Sequence, residues 1–318
     1  MIDVFFVLLP ATLLLDVSGP AEAFRLANQQ RLEQGAPALY RLHFVGPRAS
    51  IESSIGLTLA GLAPLPPQLP ACCHLLLPGR AGDLGGTADE RAAWRETRDW
   101  LSHAVAGRLR GDDGLRLMTV CAGALLAADA GLLDGRQVTT HHESLDELAA
   151  MAPGVRVVSN RVWVEDGAVW SSAGITAGID LALHAITRDA DHAVAAAVAR
   201  TMVVFARRGA HAPGVSPFLA WRDHLHPALH RVQDAVCDRP GEDWDLARLA
   251  QLAHVTSRHL TRLFVEQAGV TPRDYVEHVR VSLAQAALEA GRSAAQACEL
   301  AGFRSEQQWR RARARRAG

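Results

Sequence analysis

Residues 246–264 read LARLAQLAHVTSRHLTRLF, and residues 294–312 read AAQACELAGFRSEQQWRRA. In the first stretch Leu246, Leu249, Ala250 and Ala253 fall at i, i+3, i+4 and i+7. In the second, Ala294, Ala297, Cys298 and Ala301 do the same. Each set makes one apolar stripe on a short helix. A brief turn follows, His254–Thr256 in one copy and Gly302–Phe303 in the other. Then comes a hydroxyl suited to cap a second helix, Ser257 or Ser305, 48 residues apart. The pattern predicts two helix-turn-helix units, with Ala250 and Cys298 as the small residues where helices cross.

The second helices, Ser257–Gln267 and Ser305–Arg316, turn Leu260, Leu263 and Phe264, or Trp309 and Ala312, inward. That leaves Arg258, His259, Thr261 and Arg262 outward on the first. Arg304, Glu306, Gln307, Arg310 and Arg311 stay outward on the second. Such side chains read base edges and hold phosphates. Between the copies, Thr271 as cap, Pro272 at the first helical position and Asp274 in the first turn predict a helix to about Ala290. Its roughly 19 residues would span roughly 28 Å. That approaches the ~34 Å between successive major-groove segments on one face of DNA.

Charge agrees with this placement. The chain of 318 residues has a net charge of -1, and all its basic side chains are Arg. Residues 227–318 hold 14 Arg against 11 Asp and Glu, so this part is positive while the rest is negative. Arg304, Arg310, Arg311, Arg313, Arg315 and Arg316 crowd the end. Arg suits phosphate and guanine better than Lys does. An alternative for this run is a solvated tail that touches phosphates without reading sequence.

The order Leu246–Ala250, Ser257–Phe264, Gly269-Val270-Thr271-Pro272, Tyr275, Arg280, Ala284 and Ala301-Gly302-Phe303 resembles the AraC/XylS DNA-binding domain. The resemblance covers about 75 residues in fixed order. It implies double-stranded DNA as a partner. One position departs: Arg313 stands where that family usually has a second aromatic residue. The alternative is an unrelated six-helix bundle.

Upstream, residues 207–217 read RRGAHAPGVSP, a run of chain breakers. The expected organisation is a domain over 1–206, a linker over 207–226 and a helical domain over 227–318. Within 1–206, strands are predicted at Val4–Leu9, Arg41–Val45, His74–Leu77, Leu115–Val120, Val155–Val158 and Val162–Val164. Helices are predicted at Pro20–Gln34, Glu90–Ala106, Ala122–Ala130, Gly178–Thr187 and Asp191–Arg207. The alternation argues for an α/β fold, a parallel sheet with helices on both faces, followed by the all-α domain.

After the strand Leu115–Val120, Cys121-Ala122-Gly123-Ala124 leads into a helix. A nucleophile there would stand on a sharp elbow, and the helix N-terminus would favour its thiolate. Asp16-Val17-Ser18-Gly19-Pro20, Pro78-Gly79, Thr139-Thr140-His141 and Ser171-Ser172-Ala173-Gly174 accompany it. This ordered set resembles the ThiJ/PfpI domain of the class I glutamine amidotransferase-like superfamily. With the C-terminal part, the chain resembles a GlxA-type AraC-family regulator. The resemblance implies a flavodoxin-like fold, a homodimer formed through the N-terminal domain, and a pocket lined by Cys121, Asp16 and His141.

Two functions follow from the pocket. As an enzyme, Cys121 would be the nucleophile and Asp16 its acid or orienting partner, as in the related isonitrile hydratases. As a sensor, the pocket would bind an unknown small-molecule effector without turnover. Ala122 stands where protease-like and glyoxalase-like relatives carry His, and His142 where relatives tend to carry Trp. Both departures favour the catalytically silent sensor. Redox sensing by Cys121 is a third possibility.

Cys72, Cys73, Cys121, Cys237 and Cys298 have no metal spacing, and His224, His226 and His230 have no matching acid or thiol, so no metal and no cofactor are expected. The N-terminus carries no basic segment before an apolar one, and Pro10 interrupts Val4–Leu15. These features point to a reduced cytoplasm and no membrane association.

Overall fold

Strand residues in this chain alternate between two cores. Phe5, Val7, Leu75, Leu77 and Leu117 enter one; Val4, Phe6, Leu76, Met118 and Val120 enter the other. A strand buried on both faces needs helices on both sides. The computed structural model describes residues 1–82, 86–110, 114–159, 161–203, 221, 226–289 and 292–315. It divides into two units, Met1–Gly214 and Val215–Gly318.

The first unit runs β1 (Ile2–Val7), α1 (Leu14–Glu33), β2 (Tyr40–Gly46), the hairpin β3 (Ser50–Glu52) and β4 (Thr58–Ala60), β5 (Ala63–Pro64), β6 (Cys73–Leu77), α2 (Ala88–Ala104) and β7 (Leu115–Val120). It continues with α3 (Gly123–Asp129), β8 (Gln137–Val138), α4 (Leu145–Met151), β9 (Arg156–Val157), β10 (Trp163–Asp166), β11 (Val169–Ser172), α5 (Thr176–Asp189) and α6 (His192–Thr201). Among the described residues the main sheet has the order β10-β11-β7-β6-β1-β2-β5. Its pairings are parallel except β10 with β11. Leu101, Leu126 and Leu148 of α2, α3 and α4 pack on one face; Phe24, Leu181 and Val198 of α1, α5 and α6 pack on the other. This is the layered, flavodoxin-like α/β arrangement expected.

At the N-terminal ends of the strands, buried Asp189 accepts hydrogen bonds from Tyr40 (3.0 Å) and His74 (2.7 Å) and pairs with Arg116. Burial pushes the Asp189 carboxyl up, but His74 and Arg116 outweigh it and hold it below the usual range. This cluster ties α5 to the sheet at the edge opposite Cys121.

Several boundaries differ from expectation. Helix α1 begins at Leu14, not Pro20, which lies inside it. Asp16 sits in its first turn and is anchored by two other loops, so helical geometry extends back past the proline. β11 is not among the expected strands; its Ser171 and Ser172 are fully buried, Ser171 Oγ accepting from Thr139 N and Ser172 Oγ donating to Thr119 O. The predicted strand Val155–Val158 contributes β9, which pairs with β8 outside the main sheet. Helix α6 ends at Thr201. The breaker-rich run 207–217 lies outside the described residues, as does Arg316.

The second unit runs α7 (Pro227–Asp238), α8 (Leu246–Ala253), α9 (Ser257–Ala268), α10 (Pro272–Glu289), α11 (Ala294–Leu300) and α12 (Glu306–Ala314). Side chains cap its helices, and Ser305 is the cap expected. Asp245 accepts from Arg248 N, Ser293 forms a capping box with Gln296, and Ser305 accepts from Gln308 N. The cap of α9 is Thr256, which accepts from His259 N; Ser257 is the first helical residue instead. Extended backbone at Thr256 (φ -73, ψ 154) aims its hydroxyl at that N–H, and Ser257 has already turned helical.

That correction exposes an offset. Ala250, Ala253 and His254 match Cys298, Ala301 and Gly302 at 48 residues, and both turn residues adopt positive φ (57 and 72). Thr256, Leu260 and Leu263 match Ser305, Trp309 and Ala312 at 49. The second turn therefore carries one extra residue.

Candidate functional site

β7 delivers Cys121 to the C-terminal edge of the sheet, where open α/β folds place their pockets. Cys121 has φ 54, in the left-handed region that costs a side chain about 1 kcal/mol or more. Neighbours hold it there. Its N–H donates to Ser172 O (3.1 Å), and its carbonyl accepts from Thr140 Oγ1 (2.8 Å). Glycines make the room. A Cβ on Gly123 would fall 2.0 Å from Leu77 O. One on Gly174, itself at φ 97, would fall 2.4 Å from Cys121 Cβ.

Asp16 lies just behind the thiol and is fully buried. It accepts backbone N–H bonds from Gly79 (3.0 Å) and Ile175 (2.8 Å). A Cβ on Gly79 would sit 2.8 Å from Asp16 Oδ2 and 2.9 Å from Cys121 Cβ, so that glycine separates the two groups. Burial raises the Asp16 carboxyl above its ordinary value, against those two bonds. Burial, with the Asp16 charge next, pushes the Cys121 thiol up to about 12. This shift runs against the thiolate that the helix N-terminus favours: the N–H of Ala122 helps the anion, but desolvation and a neighbouring carboxylate oppose it more strongly.

A cavity of about 330 Å³ opens over Cys121. Leu13, Trp94, Leu125 and Ile175 give it apolar wall; Arg80, His141, Glu143 and Glu147 give it polar wall. His141 stands 3.5 Å from Glu143 and its ring centroid 4.2 Å from that of His142. Burial first, and the His142 charge second, lower its pKa and favour the neutral ring. The structure thus brings Cys121 and His141 into the lining of one cavity, while Asp16 is fully buried and not part of that lining. Sequence reading did not assign Thr140, Arg80 or Trp94 to this place. Thr140 belongs to the Thr139-Thr140-His141 motif; Arg80 and Trp94 come from segments whose proximity only the folded chain reveals.

The second unit wears its charged side chains outside. Arg258 and Arg262 are exposed on α9, with Arg262 Nη2 3.0 Å from His259 Nδ1. Thr261 Oγ1 is turned back onto Ser257 O (3.0 Å). On the second copy Arg304, Gln307, Arg310 and Arg311 are exposed, and Arg310 pairs with Glu306 at 3.1 Å. Such surface pairs are worth about 0–1 kcal/mol and exchange readily for phosphate. The 49-residue offset pairs Arg258 with Gln307, Thr261 with Arg310, Arg262 with Arg311, and His259 with Gln308, which sequence reading did not select. Arg313, at the position that departs from the AraC pattern, lies over the Trp309 ring, 5.7 Å from its centroid.

Among the described residues no group of three or more His, Cys, Asp or Glu is placed to hold a metal, and no helix is long and apolar enough to cross a membrane.

Comparison with known proteins covers both units. A helix-turn-helix domain model matches residues 249–318, and a DJ-1/PfpI family model matches residues 95–188. The HTH-type transcriptional regulator GlxA of Rhizobium meliloti is 29% identical over 296 residues, 89% of this chain and 83% of that protein. The HTH-type transcriptional regulator Rv1931c of Mycobacterium tuberculosis is 30% identical over 226 residues, 68% of this chain and 79% of its own length. The isonitrile hydratase of Pseudomonas putida is 32% identical over 187 residues, 57% of this chain and 69% of the enzyme. A crystal structure of a ThiJ/PfpI family protein from Pseudomonas syringae superposes with a TM-score of 0.51 at 21% identity, covering 79% of this chain and 88% of that one, a likeness of fold.

Proposed function

This chain belongs to the AraC-type helix-turn-helix transcriptional regulators that carry a DJ-1/PfpI domain, and from that premise we propose that it reads a bipartite DNA site and answers to a small molecule held over Cys121. One observation carries the first half: two recognition helices with exposed Arg faces stand on a repeated scaffold. In this reading Arg258, His259, Thr261 and Arg262 contact one major-groove segment. Arg304, Gln307, Arg310 and Arg311 contact the next. Selection from a random duplex library with the full chain tests it. The expected product is a motif with two half-sites about 10 base pairs apart. A pool with no enriched motif would overturn the reading.

For the second half, residues 1–206 act as the sensor and 207–226 as the linker through which its state reaches the helical domain. The cavity fits a small molecule with an apolar body against Trp94 and Leu125 and a polar group toward Arg80 or Glu143. A protonated Cys121 thiol and Ala122 in the following position support a sensor without turnover. Dimerisation through the sensor and a cytoplasmic location complete the proposal. Cys121→Ser should alter the response of DNA binding to effector and leave basal DNA binding intact.

The strained backbone at Cys121 beside Asp16 favours a second reading, an isonitrile-hydratase-like enzyme fused to a DNA-binding domain. There Cys121 is the nucleophile and Asp16 its proton partner. Turnover of an isonitrile by the wild type, lost in Cys121→Ser, would establish it.

A further inference from the structure

We infer that Arg280, at the middle of α10, is a positioning residue that fixes the spacing at which the two helix-turn-helix units meet DNA. This rests on the bipartite reading above and adds to it. Helix α10 is a rod of 18 residues, about 27 Å at 1.5 Å per residue. A rod alone joins the two units at one place each and leaves their mutual angle to bending and twisting. The structure adds a second connection, the loop of residues 239–245 between α7 and α8.

That loop is pinned along its length. Trp244 Nε1 donates to Arg239 O (2.8 Å). Arg248 donates to Asp243 O (2.9 Å) and pairs with the Glu242 carboxylate. Arg280 reaches from α10 and donates to Pro240 O (2.9 Å) and Glu242 O (2.5 Å). The loop then abuts the turn of the second unit. A Cβ on Gly302 would lie 2.6 Å from Gly241 O and 2.7 Å from Gly241 Cα. One on Gly241 would lie 3.3 Å from Leu300 O. Two backbones meet where neither residue has a side chain.

Arg280, the loop and the Gly302 turn therefore close a triangle on α10. One corner is the scaffold of the first unit, and another is the turn that launches α12. Both half-sites can be engaged together only if the recognition helices are already at the DNA spacing, so a rigid triangle concentrates each unit over its own half-site. Arg280 touches no DNA in this account. It acts through the loop.

The test uses the full chain and the bipartite duplex obtained by selection. Affinity is measured at the selected spacing, with one base pair added or removed between half-sites, and on each half-site alone. For the wild type, one base pair of misspacing should cost about tenfold, the size of a mismatched base pair. Arg280→Met should lose about tenfold at the selected spacing, keep half-site affinity within about twofold, and flatten the spacing profile to under about threefold. Gly241→Val, which wedges the loop from the turn and leaves Arg280 in place, should do the same. Circular dichroism checks that both variants are folded.

A spacing-sensitive wild type with unchanged profiles in both variants sinks this inference alone. So does a parallel loss of half-site and full-site affinity. A wild type indifferent to spacing would sink the bipartite reading and this inference with it.

Discussion

The two units of this protein differ in how far they expose their polar groups. The α/β unit buries those of its site: Cys121 is 5% exposed and Asp16 0%. The helical unit wears them, with Arg258, Arg262, Arg310 and Arg311 in solvent. The difference teaches what each can do. A buried site tunes a few groups through desolvation and tolerates no change of shape. An exposed site leaves its groups charged and mobile, and its substitution costs affinity and little stability.

The buried side gives the largest expected effect. A thiol near 12 exists as thiolate only on the order of 10⁻⁴ at pH 8, against roughly a quarter for an ordinary cysteine. Alkylation of Cys121 by iodoacetamide at pH 8 should therefore be on the order of a thousandfold slower than that of a free thiol. Because the raised pKa keeps the proton on, the rate should keep climbing with pH beyond pH 10. A rate that levels off below pH 8 would break the comparison at this end.

Next comes shape. Gly174→Val adds a branched side chain at φ 97 against Cys121. Strain and overpacking together should cost the α/β unit roughly 2–6 kcal/mol. Thermal unfolding of the full chain would show it as an earlier transition.

Inside the helical unit the two lobes differ in filling. The first packs Leu229, Val232, Leu249, Leu260, Phe264 and Tyr275. The second relies on Ala284, Ala297, Ala301 and Ala312 around Phe303 and Trp309. Trp309→Ala should cost about 3–5 kcal/mol, more than so small a core can bear. Hydrogen exchange should then rise across α11 and α12 while α8 and α9 stay protected. Uniform loss across both lobes would show that they fold as one.

The exposed side yields the smaller effects. Arg311→Ala should weaken specific DNA binding by about 1–3 kcal/mol and move stability by less than about 0.5 kcal/mol. Arg313→Ala removes a cation held over Trp309. It should reduce the salt slope of binding by about one with no change in sequence preference. A change in preference would place Arg313 among the base readers.

Much of this was legible in the sequence because the signals were local. The apolar stripes at 246–253 and 294–301, the caps Thr271 and Ser305, and the small residues Ala250 and Cys298 each obey short-range rules. The elbow at Cys121 was legible for the same reason: a strand, a cysteine and small residues stand next to one another. What failed was non-local or a matter of one residue. Helix α1 extends back past Pro20 because Asp16 is tied to Gly79 and Ile175, 63 and 159 residues away. β11 hides behind two serines whose hydroxyls find partners only in the folded sheet. The thiolate expectation rests on the helix end, a local feature; the burial that opposes it, and the charge of Asp16 that adds to that opposition, act only in the folded unit. The cap moved from Ser257 to Thr256 because either hydroxyl satisfies the sequence rule and only the backbone angle decides.

The central claim is that the exposed arginines read sequence. The most direct measurement is fluorescence-anisotropy binding of the full chain to its selected duplex and to a scrambled duplex of equal length, at about 50 and about 200 mM salt. The account predicts a specificity ratio of about 10³ or more that survives the higher salt while both affinities fall. Equal binding to the two duplexes, lost together as salt rises, would contradict it and leave the arginines as holders of phosphate alone.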